Sequence, residues 1–398
     1  GVSRLLLLRL LGVAVGALQK AGVRMTHEVC HRLLVHAAVQ KGCHEVVPQG
    51  VEVVLPRKAD GVIDLPQPLG EGVRVDELPV LVGSSLGAAL LAASSALCMK
   101  IMKKVGEKLK KQQELLLHLQ ENGISTDCFL ENTEGSLISR DKDELSFTLQ
   151  HWYEGRECDT KSREDILRSV RTLARLHIFM KMEPMEEYRE KSLKDEYVRH
   201  NQELRKIRKF IRRKGASCVF EKDFLGSVEW FLERAQLAVT LLDETEYETL
   251  REKSWQEGCV CHGEYNQHNV LMLKGEKEKT AVTNFGHWSF DIQMADLYRF
   301  MRKILEKYNW NLELGQEMLL EYHKIRPISF MEWQNLRVRF TYPEKYWKLA
   351  NYYYSHKKVW ISEKNVEKLA NLIRQKEAWR NFGQNCFRKY SFSDSIMQ

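Results

Sequence analysis

The first 95 residues contain no Phe, Tyr, Trp or Asn and a single Ile, Ile63. Large side chains dominate core burial, so a stretch without them has little to set against the entropy of ordering its backbone. The same stretch holds eleven of the 23 glycines and five of the eight prolines, and it begins with Gly1 rather than Met. An ordinary packed domain is therefore excluded for residues 1–95. An irregular or loosely helical segment outside the fold that follows is expected instead: a fusion, or a wrongly joined or misread coding segment. Two sharper readings exist. LLLLRLLGVAVGAL after Arg4 resembles the basic and apolar parts of a secretory signal, but Arg9 interrupts the run and no cleavage site follows. Leu78 to Met99 is uncharged and long enough to cross a bilayer, but its Ala, Ser and Gly content makes it a weak span, and membrane insertion is not expected.

Other absences narrow the classes further. No CxxC pair occurs, and the nine cysteines are scattered apart from Cys259 and Cys261, which argues for reduced thiols in a cytosolic setting and against structural zinc. No strong excess of either charge exists: the formal net charge is +7, with acidic and basic residues interleaved, so nucleic acid is not an expected partner. No internal repeat is visible. With 43% hydrophobic and 29% charged residues the composition is that of a globular protein.

Beyond residue 95 the chain is rich in Lys, Glu, Leu and aromatics. GEKLKKQQELLLHLQEN at 106–122 sets Leu109, Leu116 and Leu119 near one face and meets a glycine stop at Gly123. ELSFTLQHWYEG at 144–155 alternates as a strand does. Ser162 is placed to cap a helix that lines up Ile166, Val170, Leu173, Leu176, His177 and Met180. Residues 222–242 and 293–322 give further helical patterns. The basic run RKIRKFIRRKG at 205–215 reads as a solvated helix docked by Ile207, Phe210 and Ile211, with a polyanion surface as the alternative. The aromatic run at 342–360 and the charged helix at 362–382 read as helix packing rather than as a platform for single-stranded nucleic acid.

The chemistry-bearing words are CHGEYNQHNVLML at 261–273 and TNFG at 283–286. Phosphoryl transfer asks the protein for position and charge neutralisation: a carboxylate at the attacking hydroxyl, a side-chain oxygen on one magnesium, and a second carboxylate bridging metal to phosphate. Glu264 and Asn269 have the five-residue spacing of the first two. Val270–Leu273 and Ala281–Thr283 flank the polar turn KGEKEK as a hairpin that returns Asn284 beside the loop.

This arrangement resembles the aminoglycoside phosphotransferase and choline kinase branch of the protein-kinase-like fold. With WYEGRECDTKSREDI, LARLH, AVTNFGHWSFDIQMADLYRFMRKILEKYNWN and YPEKYWKLANYYY in order, residues 98–385 resemble the CotS family of bacterial spore coat proteins. The resemblance implies an α+β protein-kinase-like fold, with a reduced small β-containing lobe at 96–155 and a mostly helical large lobe at 156–390. It places Glu264 where the catalytic Asp belongs, Asn269 at the metal-binding Asn and Asn284 at the metal-bridging Asp. Glutamate carries its carboxylate on the order of 1 Å further out, a misplacement that can cost about 10²-fold. An amide offers magnesium one neutral oxygen where the ion prefers an anionic pair.

His262 is expected to brace the backbone near Asn284, and Asp296 to be a structural carboxylate at a helix start; Asp291 lies too far past TNFG to substitute for the missing Asp. Lys103 is the best strand-lysine candidate for nucleotide, with Lys104 close behind and Glu107 or Glu114 as its partner. GEGV at 70–73 and GSSLG at 83–87 are weak phosphate-loop matches. The resemblance thus implies a pseudokinase with a structural and interaction role in the spore coat. Its partners would be other coat proteins, and it would be made in the mother-cell cytoplasm and deposited on the spore. No cofactor is expected in that role; ATP and Mg are implied if the chain is an active phosphotransferase.

Overall fold

The computed structural model describes residues 97–101, 106–140, 146–275, 279–355 and 363–388. The segment 1–95, the apolar stretch up to residue 96, GEGV, GSSLG, Lys103 and Lys104 lie outside the described residues. The chain runs through β1 (Leu97–Ile101), α1 (Glu107–Glu121), β2 (Ser125–Thr126), β3 (Phe129–Leu130), β4 (Ser139–Arg140), β5 (Ser146–His151) and β6 (Gly155–Glu157). Then come α2 (Arg163–Phe179), α3 (Leu193–Lys214), α4 (Val219–Glu244), α5 (Tyr247–Gln256), β7 (Val260–Cys261), β8 (Val270–Leu273), β9 (Thr280–Val282) and β10 (Ser289–Phe290). The helices α6 (Met294–Leu305), α7 (Leu312–Ile325), α8 (Phe330–Thr341), α9 (Glu344–Ser355) and α10 (Glu363–Asn385) complete an α+β chain.

Two units emerge. In the first, containing β1 and residues 129–152, β5 is the central strand. It pairs antiparallel with β1, β3 and β4, and Lys100 stands opposite Thr148. The alternation of SFTLQH suggests one covered face, yet Phe147, Thr148, Leu149 and Gln150 are all buried, so both faces of β5 are covered. The second unit holds residues 106–128 and everything from Tyr153 onward. Its sheet has the order β2-β9-β8-β6, with β2 parallel to β9 and the other neighbours antiparallel.

α1 buries Leu109, Leu115, Leu116 and Leu119 and stops where Gly123 adopts φ +76°, a conformation that glycine takes without penalty. α2 starts at Ser162, whose hydroxyl accepts from the Asp165 N–H at 3.2 Å, and buries every apolar residue of the expected stripe. The helical pattern at 293–322 forms two helices, α6 and α7. Asn309 and Trp310 sit at φ +46° and +57°, ending α6, and Asn311 then caps α7 by accepting from Leu314 N–H at 2.8 Å. Burial of the Trp310 indole against Phe340, Trp379 and Phe382 compensates that strained backbone.

The basic run ends α3. Ile207 and Ile211 are buried, Phe210 is exposed, and Arg208 and Arg212 both reach Glu229 on α4 at 2.5 and 2.7 Å. The aromatic run of α9 packs onto this α3–α4 pair. Tyr342 stacks on Tyr197 and donates to Asn201 Oδ1 at 3.1 Å, Trp347 stacks on His200 and donates to Glu203, and Tyr346 stacks on Phe231. Tyr353 and Tyr354 both donate to Glu221, which is buried and also receives Lys214 at 2.6 Å. No helix among the described residues is long and apolar enough to cross a membrane.

Candidate functional site

Everything in the loop after β7 depends on a turn at His262-Gly263. Gly263 has φ +82°, and a Cβ there would lie 2.0 Å from the His287 carbonyl oxygen, so the approach of the two backbones requires glycine. The N–H groups of His262 and Gly263 have no strand partner and donate instead to the two oxygens of Asp296, at 2.5 and 3.0 Å. Asp296 belongs to the first turn of α6, and Arg299 one turn on donates to the Gly263 carbonyl at 2.8 Å. An i, i+3 pair on one helix thus grips both polarities of the turn.

Asp296 is fully buried. Burial pushes its carboxyl up, but the His177 hydrogen bond together with the charges of Arg299 and His262 outweighs this and leaves it below the ordinary range. His177 lies between Asp296 Oδ2 (3.4 Å) and the Tyr322 hydroxyl (2.6 Å), and burial holds its pKa below 6.5 despite the carboxylate. His262 uses both ring nitrogens: Nε2 donates to the Thr283 carbonyl at 3.0 Å and Nδ1 accepts from the Glu264 N–H at 3.1 Å. Burial lowers its pKa as well, and one neutral tautomer satisfies the set.

Around this frame Glu264, Asn269 and Asn284 come together. Asn269 Nδ2 donates to the Glu264 carbonyl at 2.9 Å, and the Asn269 carbonyl accepts from Thr283 N–H, joining the loop to the TNFG strand. Asn284 adopts φ +71°, ψ +50°, the left-handed region that Asn tolerates better than most side chains. Its side-chain amide donates to Glu264 Oε2 at 3.1 Å, while His287 Nε2 lies 3.6 Å from Glu264 Oε1. The Glu264 side chain is 45% exposed, in contrast with the buried brace beneath it.

Asp127 is a further member that sequence reasoning missed. Its carboxylate accepts from the Asn284 backbone N–H at 2.9 Å, across 157 positions of sequence. The parallel register Ser125↔Ala281 and Thr126↔Val282 carries it there. No periodicity marks a two-residue parallel strand, so only that pairing could have revealed it.

Of the expected small-lobe groups, Lys103 is outside the described residues, Glu114 pairs with Lys111 at 2.8 Å, and Glu107 is exposed in the first turn of α1. The neighbouring Lys108 ammonium stacks over Trp288 and Tyr188 at 5.1 and 5.4 Å, and burial lowers its pKa more than Glu190 raises it. Asp291, near Arg339 at 3.4 Å, stays away from the loop carboxylate and serves the interior. Among the described residues no group of three or more His, Cys, Asp or Glu side chains could hold a metal ion.

The buried histidines give this unit a pH dependence. His177 is lowered by burial, and His200, stacked on Trp347, is lowered to about 4 by burial and the Arg199 charge. Unfolded, each protonates near 6.5, so between that value and its folded value the unfolded chain binds more protons. Stability is full above about pH 6.5 and falls as pH drops, by about 1.4 kcal/mol per pH unit for each histidine. Urea midpoints measured from pH 7.5 to 4.5 are expected to show this decline. A flat profile would mean that both histidines protonate freely in the folded protein.

Three comparisons bear on the site. A family whose model is described as "Spore coat putative kinase YutH" matches residues 88–386. Spore coat protein S of Bacillus subtilis (strain 168) is 25% identical over 169 residues, 41% of this chain and 46% of that protein, so the match spans about half of that relative's length. Among solved structures, an aminoglycoside phosphotransferase from Alicyclobacillus acidocaldarius subsp. acidocaldarius DSM 446 aligns with a TM-score of 0.67 at 17% identity, over 75% of this chain and 87% of that one. The likeness shows a shared fold, the protein-kinase-like fold of aminoglycoside phosphotransferases. Spectinomycin phosphotransferase APH(9)-Ia, in complex with ADP and spectinomycin, aligns at a TM-score of 0.48 and 11% identity over 75% of this chain and 86% of that chain.

Proposed function

Because the chain belongs to the family described as Spore coat putative kinase YutH, we propose that it serves the spore coat as a pseudokinase, a kinase-like scaffold that binds other coat proteins. It is made in the mother cell and deposited on the forming spore. The observation that carries this reading is the hydrogen bond from Asn284 Nδ2 to Glu264 Oε2. The two positions that should present separate carboxylates to metal and hydroxyl here supply one carboxylate and one amide, engaged with each other. At the three expected positions, Glu264, Asn269 and Asn284, the donors are one anion and two neutral amides, and the Asp127 carboxylate beside them is engaged by the Asn284 N–H; that set falls short of what a pair of magnesium ions on ATP requires. The clamp made by buried Asp296 and His262 with the partly exposed Arg299 supports a loop kept for its shape.

A second reading, an ATP-dependent phosphotransferase acting on a small molecule or a coat protein, is favoured by the half-exposed Glu264 beside Asn269 on that same rigid loop. Glu264 would then accept the substrate proton, with Asn269 and Asn284 facing the metal. Thermal denaturation with ATP, with and without magnesium, separates the two. The pseudokinase reading expects no magnesium-dependent change in Tm. A rise of several degrees that disappears in Glu264→Ala or Asn284→Ala would overturn it, since nucleotide at about 100 times its Kd stabilises by about 2.7 kcal/mol.

A further inference from the structure

α6 is enclosed on nearly every side: nine of its twelve residues are buried, and only Arg299, Arg302 and Lys303 are partly open to solvent. Two of these cations are already engaged. Arg299 donates to the Gly263 carbonyl and faces Asp296, and Arg302 donates to Glu306 at 2.7 Å. Lys303 has no hydrogen bond and no ion pair among the described residues. Residues four apart on a helix are neighbours, about 5–6 Å between Cβ atoms, so Lys303 stands beside Arg299, which holds the loop at Gly263. Its ammonium senses the charge of Glu264, the next residue of that loop.

The fold does not ask for this charge. Burial lowers the pKa of Lys303, and Arg302 and the Lys348 of α9 lower it further, despite the pull of Glu264 and Glu306. Glu306 is itself shared between Arg302 and Lys345, the latter at 2.5 Å. An ammonium whose pKa falls on folding is held at neutral pH at a cost to stability. Glu264 is open on one side as well. Its Oε2 accepts from Asn284, while Oε1, 3.6 Å from His287 Nε2, has no hydrogen bond, on a side chain 45% exposed.

We propose that Lys303 and Glu264 form a two-point site for a small hydroxylated anion, a compound that carries a hydroxyl a few bonds from a carboxylate or phosphate. The hydroxyl donates to Glu264 Oε1, and the anionic group takes the ammonium of Lys303. Both contacts are charge-assisted hydrogen bonds, about twice as strong as neutral ones. Like charge keeps the anionic group itself off Glu264, so an anion without the hydroxyl has only Lys303 to meet. A polyamine has only Glu264, and Lys303, Arg299 and Lys348 repel it. The site goes beyond the pseudokinase reading and needs no turnover, since the same two contacts hold a ligand in a scaffold or a substrate in an enzyme.

The test uses the full chain without nucleotide. Trace acetylation with acetic anhydride, read lysine by lysine in a mass spectrometer, reports whether the Lys303 amine is covered. Two matched pairs of probes differ by hydroxyl: malate against succinate, and glycerol phosphate against propyl phosphate. At least one hydroxylated member is expected to protect Lys303 at a concentration about tenfold lower than its partner, a difference of about 1.4 kcal/mol. Which pair shows it tells carboxylate from phosphate. Glu264→Ala is expected to abolish the preference, and Lys206, exposed on α3, to be acetylated equally throughout. Lys303→Met is expected to keep or raise Tm and to remove any rise in Tm that the protecting probe gives the wild type. Equal protection within both pairs would mean an adventitious ion only and would overturn the proposal. So would the absence of protection by any probe at millimolar concentration, protection by spermine, or a lower Tm in Lys303→Met, which would make the lysine a part of the fold. A magnesium–ATP shift would overturn the pseudokinase reading and leave these outcomes untouched.

Discussion

Alanine in place of Asp296 is expected to lower the stability of the helical unit by about 2–5 kcal/mol, since two N–H groups lose their acceptor at about 1–3 kcal/mol each. The substitution leaves the His262 and Gly263 N–H groups without acceptors, and it leaves Arg299 and His177 without the carboxylate they face. Asp296→Asn keeps an oxygen for one of the two N–H groups and is expected to fall between wild type and alanine, at about 2 kcal/mol. Urea denaturation followed by tryptophan fluorescence measures both. A loss below about 1 kcal/mol for the alanine variant would show that water or a rearranged loop replaces the clamp.

The second large effect is expected at Gly263. Alanine there must hold a left-handed backbone and also push its Cβ away from a carbonyl oxygen 2.0 Å distant, a group with no rotamer to escape into. The loss should be about 3 kcal/mol, or about 6–12 °C in Tm for a unit of this size. Gly123, at the end of α1, is the control. Its φ is +76° and no atom lies within 4 Å of an added Cβ, so Gly123→Ala carries only the backbone cost of about 1–2 kcal/mol. Equal Tm losses in the two variants would show that the His287 contact contributes nothing.

Both residues illustrate what could be read in advance. His262-Gly263-Glu264 with Asn269, and the hairpin leading to Asn284, were legible because chain-local spacing carries them. The helices were legible where a stripe and a cap agree, as at Ser162 and Ile166 to Met180. The helical pattern over 293–322 is present as two helices, and the break between them was not legible because only two positive φ values mark it. Asp296 reads as a helix-start carboxylate, and it is one. Its grip on the loop 33 and 34 positions earlier depends on how α6 is set beside β7, which no periodicity encodes. Asp127 was invisible for the same reason. On β5, alternation suggested one covered face where packing covers two.

The aromatic seam between α9 and the α3–α4 pair also sets a timetable for synthesis. Tyr342 and Trp347 find Asn201 and Glu203 across 141 and 144 positions, and Tyr353 and Tyr354 find Glu221 across 132 and 133. At roughly 5–20 residues per second a ribosome needs on the order of 10 s to cover such a distance. For that interval the stacking faces of Tyr197, His200 and Phe231 have emerged before the rings that cover them exist. The α3–α4 pair therefore closes only after α9 has left the tunnel, and a chain cut short before Tyr342 would keep α3 and α4 while losing the surface that makes them a core.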